Sequence, residues 1–527
     1  MSCDLVAVKW PRWRLRKRPN LLIAACVLFL VHAGRGWTIG SSRSPAVSLD
    51  DLHFQVSVTV AWMLLGAVGF MMALFYLVNN SDPEIRMYSW QVISSTINIF
   101  CAVLIFSASN RLVEHYAFED IPSEVRHLRA FPVCVDFAHM LFWMMMMLCV
   151  LWIAAVCKRK GAAENEDGEE SAHRHELDVK CWAMLFAHVA GFAAINCFGD
   201  LQQVFFAGSA NESELAVPIS ASCLLLLCWL AEKAGQYLYK ADLKELDDGI
   251  FELWEEQTHE AENDIAALCL SFLICQSLRY HTSGQLPDPE GNEPPATRAR
   301  VLLLCSVLFA FVAVLSVQLT ELKVNTIRRR PRSKRVMDIF QLICCMCCAW
   351  CSYYGGKRLY CTSFDGDQVV DVMTRIVLSV IFSVLAFGMV LMMNKVIDRQ
   401  KVCEAKTGEE LREEGRLRRK NSSRSNSRPA SRSLSFADNV QLMCLKLEHN
   451  LVLGGSKTII KAMAILVGFS WEEAFEGCVS KACERTKIIP PHLAEALLAA
   501  LLATMILPAW RLYIVPNCEM RAGSERI

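Results

Sequence analysis

The sequence has no surplus of charge: Lys+Arg and Asp+Glu both number 54 in a chain of 527 residues. Net charge therefore says nothing about any partner, and no nucleic-acid partner is expected; the distribution of charge is the informative part. Charge is also scarce, at 20% of residues against 54% hydrophobic. A soluble chain of this length would divide into several domains of near-average charge, which this composition does not fit. Catalytic signatures are missing as well: there is no Gly-rich phosphate loop, no H-E-x-x-H, no G-x-S-x-G and no kinase motif. No enzymatic activity, metal or other cofactor is therefore expected. The 24 cysteines lack metal-ligand spacing and fall mostly inside apolar stretches, where they read as small packing residues rather than a disulfide framework.

What the sequence has in quantity is apolar blocks, for example residues 61–78, 140–156, 301–317 and 376–393. Each approaches the ~20 residues that cross a hydrocarbon core of about 30 Å as a helix. Backbone polar groups in lipid must be satisfied within each segment, so many such blocks in series imply helices. Spans are expected near 57–78, 89–108, 134–156, 181–205, 217–238, 262–279, 300–320, 336–354, 369–396, 457–478 and 491–515. A basic start (Trp10, Arg12, Trp13, Arg14, Arg16, Lys17, Arg18) precedes a shorter apolar run at 21–31, which is either a signal peptide or a first anchor. The fold expected is an all-α polytopic transmembrane helical bundle of about 11–12 spans, with the lipid bilayer as its surroundings.

Alternation of basic and non-basic connections tests this segmentation. The connections at 157–180, 323–335 and 397–456 carry Lys158, Arg159, Lys160, a run of Arg and Lys from Lys323 to Arg335, and the most basic stretch of the chain. Those at 208–216 and 355–368 carry no Lys or Arg, and only Lys357 and Arg358. The basic side is read as cytosolic, with both termini on it. Asn211-Glu-Ser213 is a sequon on the opposite side, in a loop too short to be a comfortable acceptor.

The expected organisation is a basic N-terminus with anchor or signal peptide at 1–38, a membrane bundle at 39–397, a cytosolic loop at 398–450, a final hairpin at 451–516 and a tail at 517–527. Within the bundle, 240–264 reads as a separate acidic amphipathic helix on the cytosolic face, with Leu243, Leu246, Ile250, Leu253 and Trp254 at helical spacing. The loop turns polar, basic and Ser-rich from Cys403 to Asp438 and is expected to be disordered. Arg419, Arg424, Arg428 and Arg432 each precede a serine by three positions: Ser422, Ser427, Ser431 and Ser435. That spacing suits basophilic protein kinases, and Arg424 to Pro429 resembles a motif read by phosphoserine-binding adaptors, with Ser427 as the modified residue.

Ionisable residues concentrate toward the non-basic ends of the spans, where they either line a polar cavity facing the bundle interior or sit at headgroup level, where charge is cheap and helices commonly end. Asp136 and His139 share a helical face, Asp200 closes the next helix, and Arg279 stands at the end of another. Asp371 and Arg375 are spaced to pair. Glu472 and Glu476 share a face in the penultimate span with Glu473 beside them, and Glu495 can approach from the last span. Taken together, Asp136, His139, Asp200, Arg279, Glu472, Glu473 and Glu476 are the candidate binding residues for a small ion or polar solute, and mutual repulsion of the carboxylates suits a proton-linked site. Cys344, Cys345, Cys347, Cys348 and Cys351 with Met346 place six sulfurs in eight residues, but pointing in different directions and without histidine.

Two readings follow. One is a transporter or channel, in which Glu472, Glu473 and Asp200 converge below the surface. The other is a non-transporting receptor or scaffold, in which they are splayed and wet and the basic loop recruits partners.

Overall fold

The computed structural model describes residues 72, 74–118, 130–157, 168–242, 248–287, 298–322, 331–360, 372–422, 436–484 and 489–519. The apolar run at 21–31 and nearly all of the span at 57–78 lie outside the described residues. Two units are distinguished, Met1–Asn79 and Asn80–Ile527. In the first, the Asn79 amide donates to the Phe75 carbonyl at 2.9 Å.

The second unit is entirely helical among the described residues. Its elements are α1 (Pro83–Phe118), α2 (Phe131–Cys157), α3 (Gly168–Phe205), the short α4 (Ala210–Ser213), α5 (Ala216–Asp242), α6 (Asp248–Ser283), α7 (Ala299–Leu322), α8 (Pro331–Tyr360), α9 (Val372–Ser422), α10 (Phe436–Glu484) and α11 (Pro491–Ala509). A π-helical stretch, Trp510–Ile514, continues α11 into α12 (Val515–Glu519). Among the described residues, nine helices are long and apolar enough to cross a membrane. The chain is a multi-pass helical membrane protein. α10 is not among those nine.

Local sequence explains several helix starts. Asp82 accepts from the Glu84 amide at 2.9 Å and is followed by Pro83, an N-cap with proline at the first helical position. Pro331 and Pro491 likewise stand at the first positions of α8 and α11. Near the end of the chain Pro508 cannot donate within α11, and the backbone widens into the π turn that follows it. That turn buries Trp510, whose indole N–H donates to Ser94 Oγ of α1 at 2.9 Å.

Helices α1, α3, α6, α8 and α10 form the interior. α3 packs on α2 and α6, α6 on α8, α8 on α7 and α10, and α10 on α1 and α9. Small residues let α3 approach α6, with Ala187, Ala190, Ala193 and Ala194 fully buried. Trp350 of α8 stacks on Phe469 of α10 at 3.9 Å between centroids. By contrast α5, α7 and α11 present Leu225, Leu226 and Trp229, then Leu304, Val307 and Phe311, then Leu497, Leu501 and Met505 to the outside. In water such apolar faces would be anomalous; in a bilayer they meet acyl chains.

Side-chain contacts show that consecutive helices alternate in direction. At one end Asn196 and Lys357, late in α3 and α8, meet Asp136 and contacts of Arg375, early in α2 and α9. At the other end Arg511, late in the chain, meets Asp178, early in α3. The first may be named the polar end and the second the basic-loop end.

Two expectations need revision. The acidic amphipathic helix expected at 240–264 is not a separate element: α5 runs to Asp242, and residues from Asp248 onward are the opening turns of α6. Ile250 and Trp254 are buried in the main core, and the Trp254 ring meets Trp152 of α2 edge-on at 5.7 Å. Leu243 and Leu246 lie outside the described residues. The segment expected to be disordered from Cys403 has helical backbone as far as Ser422. Its opening is rich in Glu, Lys, Arg and Leu, all strong helix formers, so the apolar span before it propagates onward. Residues 423–435, which include Ser427, Ser431 and Ser435, lie outside the described residues.

Candidate functional site

The polar end gathers its ionisable groups into two neighbouring clusters joined by α1. The first centres on the α10 carboxylates. Lys357 Nζ of α8 donates to both carboxylate oxygens of Glu473, at 3.0 and 3.3 Å. Arg375 of α9 approaches the same carboxylate at 3.7 Å and donates to the Glu473 backbone carbonyl at 3.3 Å. Lys357 is 4% exposed and Glu473 14%, so this is a buried ion pair tying three helices together. Ser379 Oγ of α9 donates to the Ser470 carbonyl, and the Trp471 indole donates to Ser383 Oγ at 2.9 Å, which fixes α9 against this part of α10.

Glu495 of α11 approaches as the sequence suggested, and it too has a cationic partner: Arg111 of α1 lies 2.6 Å away, with the Glu495 side chain only 3% exposed. Glu472 and Glu476 differ. Both line a narrow crevice between α1, α10 and α11, walled by Phe100, Val103, Leu104 and Phe475. Neither has an ion pair among the described residues. Glu476 accepts a long hydrogen bond from Ser107 Oγ, at 3.5 Å.

The second cluster joins α2 and α3. The Asn196 amide donates to Asp136 Oδ1 at 2.9 Å and to Asn110 Oδ1 at 3.5 Å. The Asp136 and Asp200 carboxyl groups come within hydrogen-bonding reach of each other. Asn110 in turn donates to Glu114 Oε1 at 2.8 Å. About two turns of α1 therefore carry Asn110 and Glu114 toward Asp136, and Ser107 and Arg111 toward Glu476 and Glu495. His139 is buried: its Nε2 accepts from the Trp143 indole at 2.8 Å and lies 3.1 Å from Ser109 Oγ, so it locks α2 to α1.

Of the candidate residues, Glu472, Glu473 and Glu476 share one cluster, and Asp136 and Asp200 share the other. Asp200 does not converge with Glu472 and Glu473. Arg279 is fully buried in α6 with its guanidinium over the Tyr354 ring at 3.7 Å. Tyr354 adjoins Tyr353, over which Lys357 Nζ sits at 5.6 Å. Asp371, expected to pair with Arg375, lies outside the described residues. Sequence reasoning missed Arg111, Ser107, Asn110 and Asn196 and left Lys357 as a loop residue. A buried lysine four residues after Tyr353 and a lone arginine late in an apolar span were the available signals.

The cysteines of α8 are buried and spread their sulfurs over several neighbours. Cys345 donates weakly to the Thr458 carbonyl of α10, Cys347 to the Ser271 carbonyl of α6, and Cys348 meets Ser306 of α7. No group of three or more His, Cys, Asp or Glu placed to hold a metal ion occurs among the described residues. No family model, no curated protein and no solved structure matches this chain.

Proposed function

We propose that the protein is a transporter for a small cation or a cation-coupled polar solute, working through the α10 carboxylates. The observation that carries this reading is the contrast within one helix turn. Glu473 is neutralised by Lys357 and Arg375, while Glu472 and Glu476 face a crevice without an ion pair among the described residues. Burying uncompensated carboxylates in a membrane bundle is costly, and the cost is offset when a proton or other cation occupies them. The second cluster, from Asp200 through Asp136 and Asn196 to Asn110 and Glu114, continues the polar tract across α1. The polar end would face away from the cytosol, with both termini and the Ser/Arg loop cytosolic and open to a protein kinase and a phosphoserine adaptor. In the receptor or scaffold reading the carboxylates would be splayed and wet: Glu473 is 14% exposed and paired, which favours transport, whereas Asp200 lies in the other cluster and does not.

Reconstitution into proteoliposomes tests this. Flux of protons, Na+ and K+, alone and with amino acids or sugars outside, is followed for wild type and for a Glu472→Gln/Glu476→Gln variant. A protein-dependent flux that falls at least tenfold in the variant supports the assignment. Equal flux in both, or none in either, rejects it.

A further inference from the structure

A second crevice lies toward the basic-loop end, between α5 and α6, and is unrelated to the α10 carboxylates. Its wall on α5 is Glu232; its wall on α6 is built from Phe251, Trp254, Glu255, Thr258 and Glu262. Gly235 lets α5 sit directly on the Trp254 ring: a Cβ there would come within 2.6 Å of the indole. Two polar side chains of the lining are more than nine-tenths buried and have no hydrogen-bond partner, the indole N–H of Trp254 and the hydroxyl of Thr258. Thr258 is unusual in this. Thr96 and Thr458, also in helices, donate to the carbonyl four residues back. A buried donor left unmade costs about 1–3 kcal/mol, so these groups point to something that fills the crevice and accepts from them.

The charge around the crevice indicates what. Glu262 is satisfied by Arg335 of α8 at 2.7 Å, and the same guanidinium lies 2.7 Å from His259 Nδ1. Lys233, the other nearby cation, turns to Gln236 at 3.3 Å. Among the described residues Glu232 accepts only from the Gln236 amide, at 3.1 Å, and Glu255 meets only the far nitrogen of His259, at 3.9 Å. Two carboxylates thus line the same crevice as Phe251 and Trp254, whose rings stand 5.6 Å apart. Carboxylates lining a crevice with aromatic rings favour an organic ammonium group, held by both charge and cation–π attraction.

Depth narrows the source. α6 has 36 residues, about 54 Å of helix, against a hydrocarbon core of about 30 Å. The opening turns that form the crevice therefore sit at headgroup level, and α5 carries the exposed Trp229, Leu230 and Tyr237 beside it. We infer that this crevice is a binding site for an alkylammonium group carrying a neighbouring acceptor oxygen, as in a choline or ethanolamine headgroup. The ammonium lies between Glu232, Glu255 and the aromatic faces, and the oxygen accepts from Trp254 and Thr258.

Lipid retention tests this on the full-length protein. It is purified from vesicles of mixed phosphatidylcholine, phosphatidylethanolamine and phosphatidylglycerol, and the bound lipid is counted by native mass spectrometry. In parallel, free choline and ethanolamine are titrated against protein in phosphatidylglycerol nanodiscs. Wild type is expected to enrich an amine-bearing lipid about tenfold over phosphatidylglycerol, with Glu232→Gln/Glu255→Gln abolishing the preference. Thr258→Val keeps the shape of the side chain and removes the hydroxyl donor, so retention should fall about threefold to tenfold. Saturable binding of the free amine with no lipid enrichment assigns the same site to a soluble ligand. If wild type binds neither, the inference is overturned. The same holds if Thr258→Val and the folded double variant both bind as wild type does. Because Glu472 and Glu476 are untouched, this outcome is independent of the transport test.

Discussion

Glu473 illustrates how much a single position depends on its partners. Removing its charge takes from Lys357, 4% exposed, the carboxylate it meets at 3.0 Å, and from Arg375 the same group at 3.7 Å. Breaking a buried pair in this way costs about 3–5 kcal/mol, whereas replacing both partners with apolar groups costs far less. Glu473→Gln is therefore expected to lower the thermal unfolding midpoint in detergent strongly. Adding Lys357→Met to Glu473→Met should recover about 0.5–3 kcal/mol relative to the sum of the single changes. Glu472→Gln is expected to leave the midpoint unchanged or raise it, because Glu472 has no ion pair among the described residues to lose. Equal destabilisation by Glu472→Gln and Glu473→Gln would show that the two carboxylates are not distinguished as described. The pairing itself was invisible in the sequence: Lys357 and Glu473 are 116 positions apart, and nothing local marks which of three neighbouring glutamates receives the lysine. Glu495 was legible because the last span has few other ionisable residues to offer.

At the scale of the element, helix contacts here rest on small residues as much as on apolar ones. α7 meets α8 where Gly355 faces Leu303, and a Cβ at Gly355 would lie 3.0 Å from Leu303 Cγ and 3.3 Å from the Ala299 carbonyl. Ser306 and Ser352 hydroxyls, 2.6 Å apart, hold the same seam. Gly355→Leu is expected to splay this pair at a cost of about 1–3 kcal/mol. Gly388 of α9 has nothing within 4 Å of an added Cβ, so Gly388→Ala should be neutral or stabilise by up to about 1 kcal/mol. Unfolding midpoints of the two variants decide it, and a shift of the same sign in both would refute the seam. Element boundaries were readable wherever apolar runs set them. The opening of α6 was not, because its first turns are polar and extend beyond the hydrocarbon, so the end of hydrophobicity was mistaken for the end of a helix.

For the whole molecule, an all-α bundle of many spans followed from the apolar blocks: ten spans were expected from α1 onward, and nine helices among the described residues are long and apolar enough to cross a membrane. Which spans form the interior did not follow. α5, α7 and α11 are the least buried of the nine spans and lie at the periphery, where lipid covers them, whereas α10 carries more charge and is central. In a membrane the interior is where polar groups find partners, which inverts the expectation carried over from soluble proteins. The two polar clusters meeting across α1 are the product of that inversion. The central claim is that Glu472 and Glu476 hold a mobile cation while Glu473 and Glu495 hold the structure. Charge displacement on a solid-supported membrane tests it most directly, with jumps of pH, Na+ and K+ applied to reconstituted wild type and Glu472→Gln/Glu476→Gln. A transient current in wild type that disappears in the folded variant is the predicted result. A current of the same size and ion preference in both, or no current in wild type for any of the three ions, would contradict it.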